Sequence, residues 1–467
     1  MLYKNLTAFL LLTVMAGCSM VPVYQQPTPP VAATWPEQAD DADISTDVAA
    51  EISWENYIQS KTLHNLIERV LVNNRDLRIA ALNIEQAQAA YRIQRTALIP
   101  TIAANGTASR TGVPEDTSTT GSSYTATSLN ANVALVSYEL DFFGRVRSLN
   151  QSALETYLAT EEALLSARIS LIAETANAYL SLLADQKLLR LAQDNHAAQE
   201  ETYRLVKRQF EVGAITRLDV AQAATAVENA RVAIAQYSRQ IAQDQNALVY
   251  LAGGDVSDLL SQEETIDTVM VIENLPAGLP SDLLLQRPDI RQAEHVLKSA
   301  NADIGAARAA LYPSISLTGS FGLASDSLDG LLQSGAMYAW NFTPSLTIPI
   351  FNRGKLKVSL AVAEVNEKMA ATQYEQVIQA AFREVADQLA ARRTYQLQLD
   401  AQNALVGATN EAYELSKTRY DNGLDNFLIV LDSQRSLFAA QQGATSIKYA
   451  YLSNLVNLYK VLGGSRL

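Results

Sequence analysis

The chain has 467 residues, 48% of them hydrophobic and 18% charged, with a formal net charge of −13. That hydrophobic content excludes a disordered chain, and the acidic balance excludes a nucleic-acid surface, which needs clustered Lys and Arg. A single cysteine rules out an internal disulfide framework, and three histidines far apart in sequence, His64, His196 and His295, do not form a Cys/His metal cage.

The N-terminus reads as an address. Lys4 precedes an apolar run from Leu6 to Met15, too short to span a membrane and suited to a secretory signal over residues 1–17. It ends Met15-Ala16-Gly17-Cys18, which resembles a bacterial lipobox. There Cys18 becomes the acylated first residue of the mature chain, and Ser19 favours the outer membrane. The covalent lipid, palmitate included, is the only non-protein group expected; no cofactor and no metal is. Residues 18–62 are expected to form a lipid-anchored segment packed on an equatorial region. No later run of ~18 apolar residues follows, so any membrane crossing must use a β-barrel.

The rest is one unit written twice. Asp76 lies 24 residues before Pro100, and Asp289 lies 24 before Pro313. Gly213 lies 41 before Gly254, and Gly423 lies 41 before Gly464. Such self-similarity signals an internal duplication: a first repeat over 63–254, a linker over 255–282, a second repeat over 283–464 and a tail over 465–467. In the linker, Val269–Ile272 is strand-like and Pro276 and Pro280 exclude a long helix.

Each repeat opens with a helical stretch, Leu63–Leu98 or Leu283–Leu311, closed by Pro100 or Pro313. A β-hairpin follows, 101–143 in the first repeat and 314–351 in the second. In the second, Ile315, Leu317, Gly319, Phe321 and Leu323 alternate with polar residues, as do Trp340, Phe342, Leu346, Ile348 and Ile350. Period two with one apolar face is a half-buried strand. The equivalents Thr101–Val113 and Ser128–Phe143 are weaker. Strands of this length suit a tilted membrane crossing.

A long helical hairpin completes each repeat, over 144–254 and 354–464. No Gly or Pro occurs from Arg145 to Val212, and only Gly407 occurs from Lys355 to Asn422, each a run of 68 residues. A helix of that length extends about 100 Å at 1.5 Å per residue. Gly213 and Gly423 reverse the chain. The return helices carry heptad seams, Val220/Val227/Ile234/Ile241/Leu248 and Val430/Leu437/Ala444/Tyr451/Leu458, which argue for coiled-coil packing. Asp244 and Asn454 are polar seam positions that coincide between the copies. They are read either as register-setting residues or as a water-lined side.

Four strands per chain cannot close a barrel, so the edges must pair with other chains. Physics alone gives oligomerisation without the number.

The stretches Leu285-Gln286-Arg287-Pro288-Asp289-Ile290-Arg291, Ala309-Ala310-Leu311-Tyr312-Pro313-Ser314, Asp141-Phe142-Phe143-Gly144-Arg145 and Ile348-Pro349-Ile350-Phe351-Asn352-Arg353-Gly354 resemble the signature of the TolC-like outer-membrane factors. With the lipobox, the chain is most similar to their OprM-type lipoprotein branch. The resemblance covers the mature chain. It implies a mainly α protein with a membrane β-barrel: a homotrimer with a 12-stranded barrel, four strands per chain, on a long periplasmic α-helical coiled-coil barrel. It implies an exit duct in the outer membrane, extending into the periplasm. The implied partners are a periplasmic adaptor, an inner-membrane transporter of the proton-driven multidrug type, and outer-membrane lipids.

The resemblance places the pore gate on Leu424, Leu428, Asp432 and Arg435. Their spacing of four, four and three puts them on one helix face. Around a threefold axis Leu428 would form an apolar constriction and Asp432 a ring that attracts cations. Asp219 and Tyr420 match positions that tie the coils in the closed state. At the third position of that tie the family has a basic residue where this chain has Asp425. Gly213, Ala214, Gly423 and Leu424 match the tips that meet the adaptor. The same duct could serve metal-ion export or type I protein secretion, but none of the six methionines lies near the tips. A structural envelope lipoprotein would need no amphipathic strands. For an enzyme, the sequence offers no nucleophile elbow, phosphate loop or metal-ligand cluster.

Overall fold

The computed structural model describes residues 19–32, 53–119, 121–260, 264–269, 287–332 and 337–464. The expected signal, Cys18, most of the linker and the tail 465–467 lie outside them. The chain divides into two compact units. One takes residues 83–161 and 292–375 with the described part of 1–28; the other takes the described parts of 29–82, 162–291 and 376–467.

The first unit holds a four-stranded antiparallel sheet in the order β1-β2-β3-β4. The strands are β1 (Ile102–Val113), β2 (Tyr124–Leu140), β3 (Ser314–Ser325) and β4 (Met337–Thr347). Register aligns the apolar residues of all four on one face. Ala104 faces Val133, Val133 faces Phe321 and Phe321 faces Trp340; Ala131, Leu323 and Tyr338 form the next row. The opposite face is polar, with Asn105, Asn132 and Gly322 in one row and Thr318 beside Thr343. A bulge in β2 between Leu135 and Tyr138 adds one residue, after which Tyr138 and Leu140 meet Leu317 and Ile315. That extra residue keeps the apolar side chains on one face while breaking the period in the sequence. It accounts for the weak alternation read over Ser128–Phe143, and β2 begins four residues earlier than read.

The helices are α1 (Trp54–Tyr57), α2 (Lys61–Asn73), α3 (Arg75–Thr96), α4 (Arg145–Glu211), α5 (Arg217–Ala252), α6 (Ser257–Leu260), α7 (Pro288–Ala309), α8 (Leu328–Leu332), α9 (Arg353–Asp421) and α10 (Phe427–Val461). The stretch Leu63–Leu98, read as one helix, is broken at Asn74. The Asn74 backbone is extended, its Oδ1 accepts from the Asp76 and Leu77 amides, and its Nδ2 donates to the Leu251 carbonyl at 2.8 Å. The side chain thus caps α3 and holds the last turn of α5 at once. Arg287 does the corresponding work in the second repeat. It donates to the Val461 carbonyl at 2.9 Å and to both Asp289 and Glu384, and is 8% exposed.

The heptad seams are inward. On α5, Ala223, Val227, Ala230, Leu248 and Leu251 are buried; on α10, Val430, Leu437, Ala440, Tyr451, Asn454 and Leu458 are. Asn454 donates to the Gln388 carbonyl and side chain, tying α10 to α9. Asp244 instead lies beside Asp185 of α4 and accepts from Ser181 at 3.3 Å. Burial, then the neighbouring Asp244 carboxylate, pushes Asp185 up to about 6. A carboxyl raised above its usual ~3.9 favours the folded state while protonated. That contribution is complete below about pH 4 and is lost as pH rises through about 6. Replacing Asp244 with Asn removes the repulsion. The melting temperature of Asp244→Asn should therefore gain on the parent as pH is raised from ~4 to ~7; a pH-independent difference would show that the pair does not titrate.

Candidate functional sites

Two helix turns in the second unit carry the sequence-predicted site residues. At each, a glycine in the left-handed region ends the outgoing helix, Gly213 with φ 77° and Gly423 with φ 71°. The Gly213 amide donates to Phe210 and the Ala214 amide to Gln209; the Gly423 and Leu424 amides repeat this with Tyr420 and Arg419. These paired bonds satisfy the last carbonyls of α4 and α9. Three residues after each glycine a polar side chain starts the return helix. Thr216 accepts from the Asp219 amide, and Asn426 accepts from the Ile429 amide.

The two turns share one apolar core. Val206, Ala223, Ala226, Phe427 and Leu431 are buried together, with Tyr203, Ile215, Val220 and Tyr420 packed against them. This places one face of α10 inward and the opposite face outward. Leu424 is 66% and Leu428 51% exposed, and Asp432 and Arg435 are exposed with them. No ion pair joins Asp432 to Arg435 among the described residues. The four candidate gate residues form a free stripe.

The candidate tie residues each have a partner within the chain. Tyr420 Oη donates to Gln209 Oε1 at 2.8 Å, which bridges the two hairpins. Asp219 accepts from the Thr216 amide at 2.8 Å and hydroxyl at 2.6 Å, which hold its carboxyl below the usual range. Asp425 accepts from Arg419 at 2.6 and 3.1 Å, and that guanidinium likewise holds it low. No hydrogen bond links Tyr420 to Asp219 among the described residues. Gln209 and Arg419 escaped the sequence reading. The signal was present: they occupy the same position in the two repeats, four before each glycine.

In the first unit the sheet is the second candidate site. Trp340 is 74% and Phe342 60% exposed on its apolar face, and β1 and β4 are its unpaired edges. The sequence of this chain matches the outer membrane efflux protein family over residues 66–254 and 279–464. The chain belongs to that family. It is 48% identical over 460 residues to the antibiotic efflux pump outer membrane protein ArpC of Pseudomonas putida, covering 98% of this chain and 94% of ArpC. A crystallised membrane protein from Pseudomonas aeruginosa superposes with a TM-score of 0.91 at 41% identity, covering 96% of this chain and 98% of its own. The open state of the Neisseria gonorrhoeae MtrE outer membrane channel superposes with a TM-score of 0.86 at 39% identity, covering 96% and 98%. This efflux protein is thus an outer-membrane channel subunit, mainly α with a four-stranded sheet per chain.

The turn glycines differ in what a side chain would cost. A Cβ on Gly213 or Gly423 meets nothing within 4 Å, whereas on Gly253 (φ 62°) it would lie 2.6 Å from the Asn73 carbonyl. Gly423→Ala should cost only the left-handed penalty, about 1–2 kcal/mol, and still fold. Gly253→Ala should destabilise more, because backbone must shift. Thermal unfolding of the two variants compares them; equal losses would contradict the packing difference.

Proposed function

We propose that this family member is the exit duct of a tripartite efflux pump. It passively conducts antibiotics and similar small organic molecules, handed over by a proton-driven inner-membrane transporter and a periplasmic adaptor. Three copies close a twelve-stranded barrel from four strands each. The observation that carries this reading is the sheet, with one apolar face for lipid, one polar face for a lumen, and two open edges.

The turns at Gly213-Ala214 and Gly423-Leu424 serve as the adaptor contacts, and their exposure supports that role. Leu424, Leu428, Asp432 and Arg435 face the pore as its gate. Asp219, Tyr420 and Asp425 hold the closed state. Cys18 carries the lipid. The described chain just after it supports this. Val21 and Ser148 both lie against Gly305, and the Asn301 side chain donates to the Pro22 carbonyl at 3.0 Å. Gly305 and Ser148 each lie within ten residues of a strand end. The segment therefore starts at the sheet end of its helices, where a membrane surface would lie.

Deleting the gene should raise the accumulation of a panel of antibiotics, and restoring it should lower accumulation again. Unchanged accumulation across the panel would contradict the duct reading. Restoration with Cys18→Ser should give inserted but unacylated protein; an acyl label on that variant would place the lipid elsewhere. The closed-state tie makes a separate forecast. Tyr420→Phe removes the hydroxyl that donates to Gln209 and keeps the ring in the tip core. It should raise single-channel conductance in planar bilayers, and an unaltered conductance would remove Tyr420 from the tie.

A further inference from the structure

In the first unit, α3 and α9 adjoin the two edges of the sheet, and their sheet-side ends are basic. The sequence has no acidic residue from Gln86 to Pro114 or from Gly330 to Ala363, yet it places six basic residues there. Arg92 and Arg95 lie in the last turn and a half of α3, and Arg353 and Lys357 open α9. All four are exposed. Among the described residues none of the four is in an ion pair. Arg147 and Arg308, near the sheet-side ends of α4 and α7, are answered by Asp141 and Glu364. In a chain of net charge −13 the uncompensated cluster is an exception. Helix stability does not place it, because the N-terminus of α9 favours anions and disfavours Arg353.

The four residues share one side of a row of helices. Tyr91 of α3 stacks on Tyr157 of α4, Glu155 of α4 meets His295 of α7, and Arg308 of α7 meets Glu364 of α9. A helical residue advances about 100° round its axis. On α3, Arg95 and Arg92 therefore lie about 40° and 100° past Tyr91, which faces α4. On α9, Arg353 and Lys357 lie about 60° and 100° past Leu356, which lines a cavity with Ala309 and Ala310 at the end of α7. α3 runs toward the sheet and α9 away from it, and their neighbours stand on opposite sides. The two reversals cancel, so both pairs face the same way. That side carries the segment after Cys18. Arg353 and Lys357 fall within about 20° of Glu364, and its partner Arg308 falls within about 60° of Asn301 and Gly305. Asn301 donates to the Pro22 carbonyl, and Gly305 lies against Val21. Toward the sheet the surface turns apolar: Ile99 and Ile102 follow Arg95, Ile350 and Phe351 precede Arg353, and all are exposed.

We infer that Arg92, Arg95, Arg353 and Lys357 form a docking surface for anionic phospholipid headgroups in the periplasmic leaflet of the outer membrane. An exposed apolar band followed by cations is the pattern of a membrane boundary. The stems of Arg and Lys lie along apolar surface there while their heads meet headgroup phosphates. A guanidinium takes a phosphate with two parallel hydrogen bonds. The segment that starts at the lipid-bearing end of the chain lies on the same side of the helices. The surface sits at the helix end of the sheet, away from the strand-connecting loops, so its lipid is phospholipid and not lipopolysaccharide. Closing the sheet at β1 and β4 would gather both basic pairs at one junction, where like charges repel unless an anion sits among them. The inference rests on the reading that copies close the sheet across the outer membrane.

Native mass spectrometry of the full-length protein in neutral detergent tests it, with phosphatidylglycerol and phosphatidylcholine added in equal amounts. At low salt the parent should retain the anionic lipid roughly tenfold over the zwitterionic one. Arg92→Gln, Arg95→Gln, Arg353→Gln and Lys357→Gln together should abolish that preference. The side chains are exposed and outside ion pairs, so this variant should fold as the parent does. Arg92→Lys, Arg95→Lys and Arg353→Lys together keep the charge and should keep the preference. Arg204→Gln, Lys207→Gln, Arg208→Gln and Lys417→Gln remove as much exposed charge toward the helix turns and should keep it too. Purified lipopolysaccharide should bind the parent and the first variant alike. A parent without preference, a lysine variant that loses it, or a helix-turn variant that loses as much as the first would overturn the surface. Lipopolysaccharide lost by the first variant would overturn the choice of lipid. A parent that conducts in planar bilayers but shows no preference would leave the duct reading intact, and one that does not conduct would overturn that reading itself.

Discussion

The structure turns on the backbone of two edge strands. In hydrocarbon every unpaired N–H or C=O costs several kcal/mol, because no water replaces the missing partner. A sheet that ends at β1 and β4 leaves a full row of such groups on each side. The strands are too few to curl shut on themselves. The apolar face built from Val133, Phe321, Trp340 and their row partners makes the problem worse in water, since it too is uncovered. Lipid on that face and further copies at the edges resolve both demands together. The bulge at Leu135–Tyr138 belongs to the same constraint. Without the extra residue, Tyr138 and Leu140 would turn to the polar face.

Duplication supplies the scaffold, and divergence between the copies supplies the chemistry. Asn74 and Arg287 occupy equivalent positions and hold equivalent carbonyls, Leu251 and Val461. The neutral amide needs only that carbonyl and a cap. The guanidinium has five donors, and Asp289 and Glu384 accept from three of those that the carbonyl leaves. At the tips, Gln209 corresponds to Arg419 and Phe210 to Tyr420. The second copy has a hydroxyl and a charge at these positions, and the first has an amide acceptor for that hydroxyl. The bridge between hairpins is possible because the copies are no longer alike. The same holds for the polar seam positions. Asn454 finds a backbone partner on α9, whereas Asp244 lies beside another carboxylate, and burial holds it above the usual carboxylate range.

Most of the fold was legible because its signals are periodic. Glycine and proline punctuate it, heptads mark the return helices, and alternation marks β3 and β4. What escaped depended on single contacts. The break at Asn74 carries no Gly or Pro, and an asparagine within a helical pattern announces nothing until Leu251 arrives from 177 residues away. The bulge hid the alternation of β2. The site was legible as positions and not as partners. Spacing showed that Leu424, Leu428, Asp432 and Arg435 share a face, but not that Arg435 and Asp432 remain apart. It also could not show that Asp425 is answered by Arg419 across the turn, since pairing across a turn follows no fixed spacing.

The two kinds of glycine in the hairpins separate turning from packing. Gly253 is required twice, for its positive φ and because the Asn73 carbonyl occupies the place of a side chain. Gly213 and Gly423 are required for φ alone, with open space where a Cβ would point. At these two turns the side on which a Cβ would point is left open by the chain itself. The apolar core of Val206, Ala223 and Phe427 packs the helices that flank the turns. A turn surface that its own chain leaves uncovered is open to solvent. The positions that end the longest helices of the chain are thus also the ones that leave it freest to be met from outside.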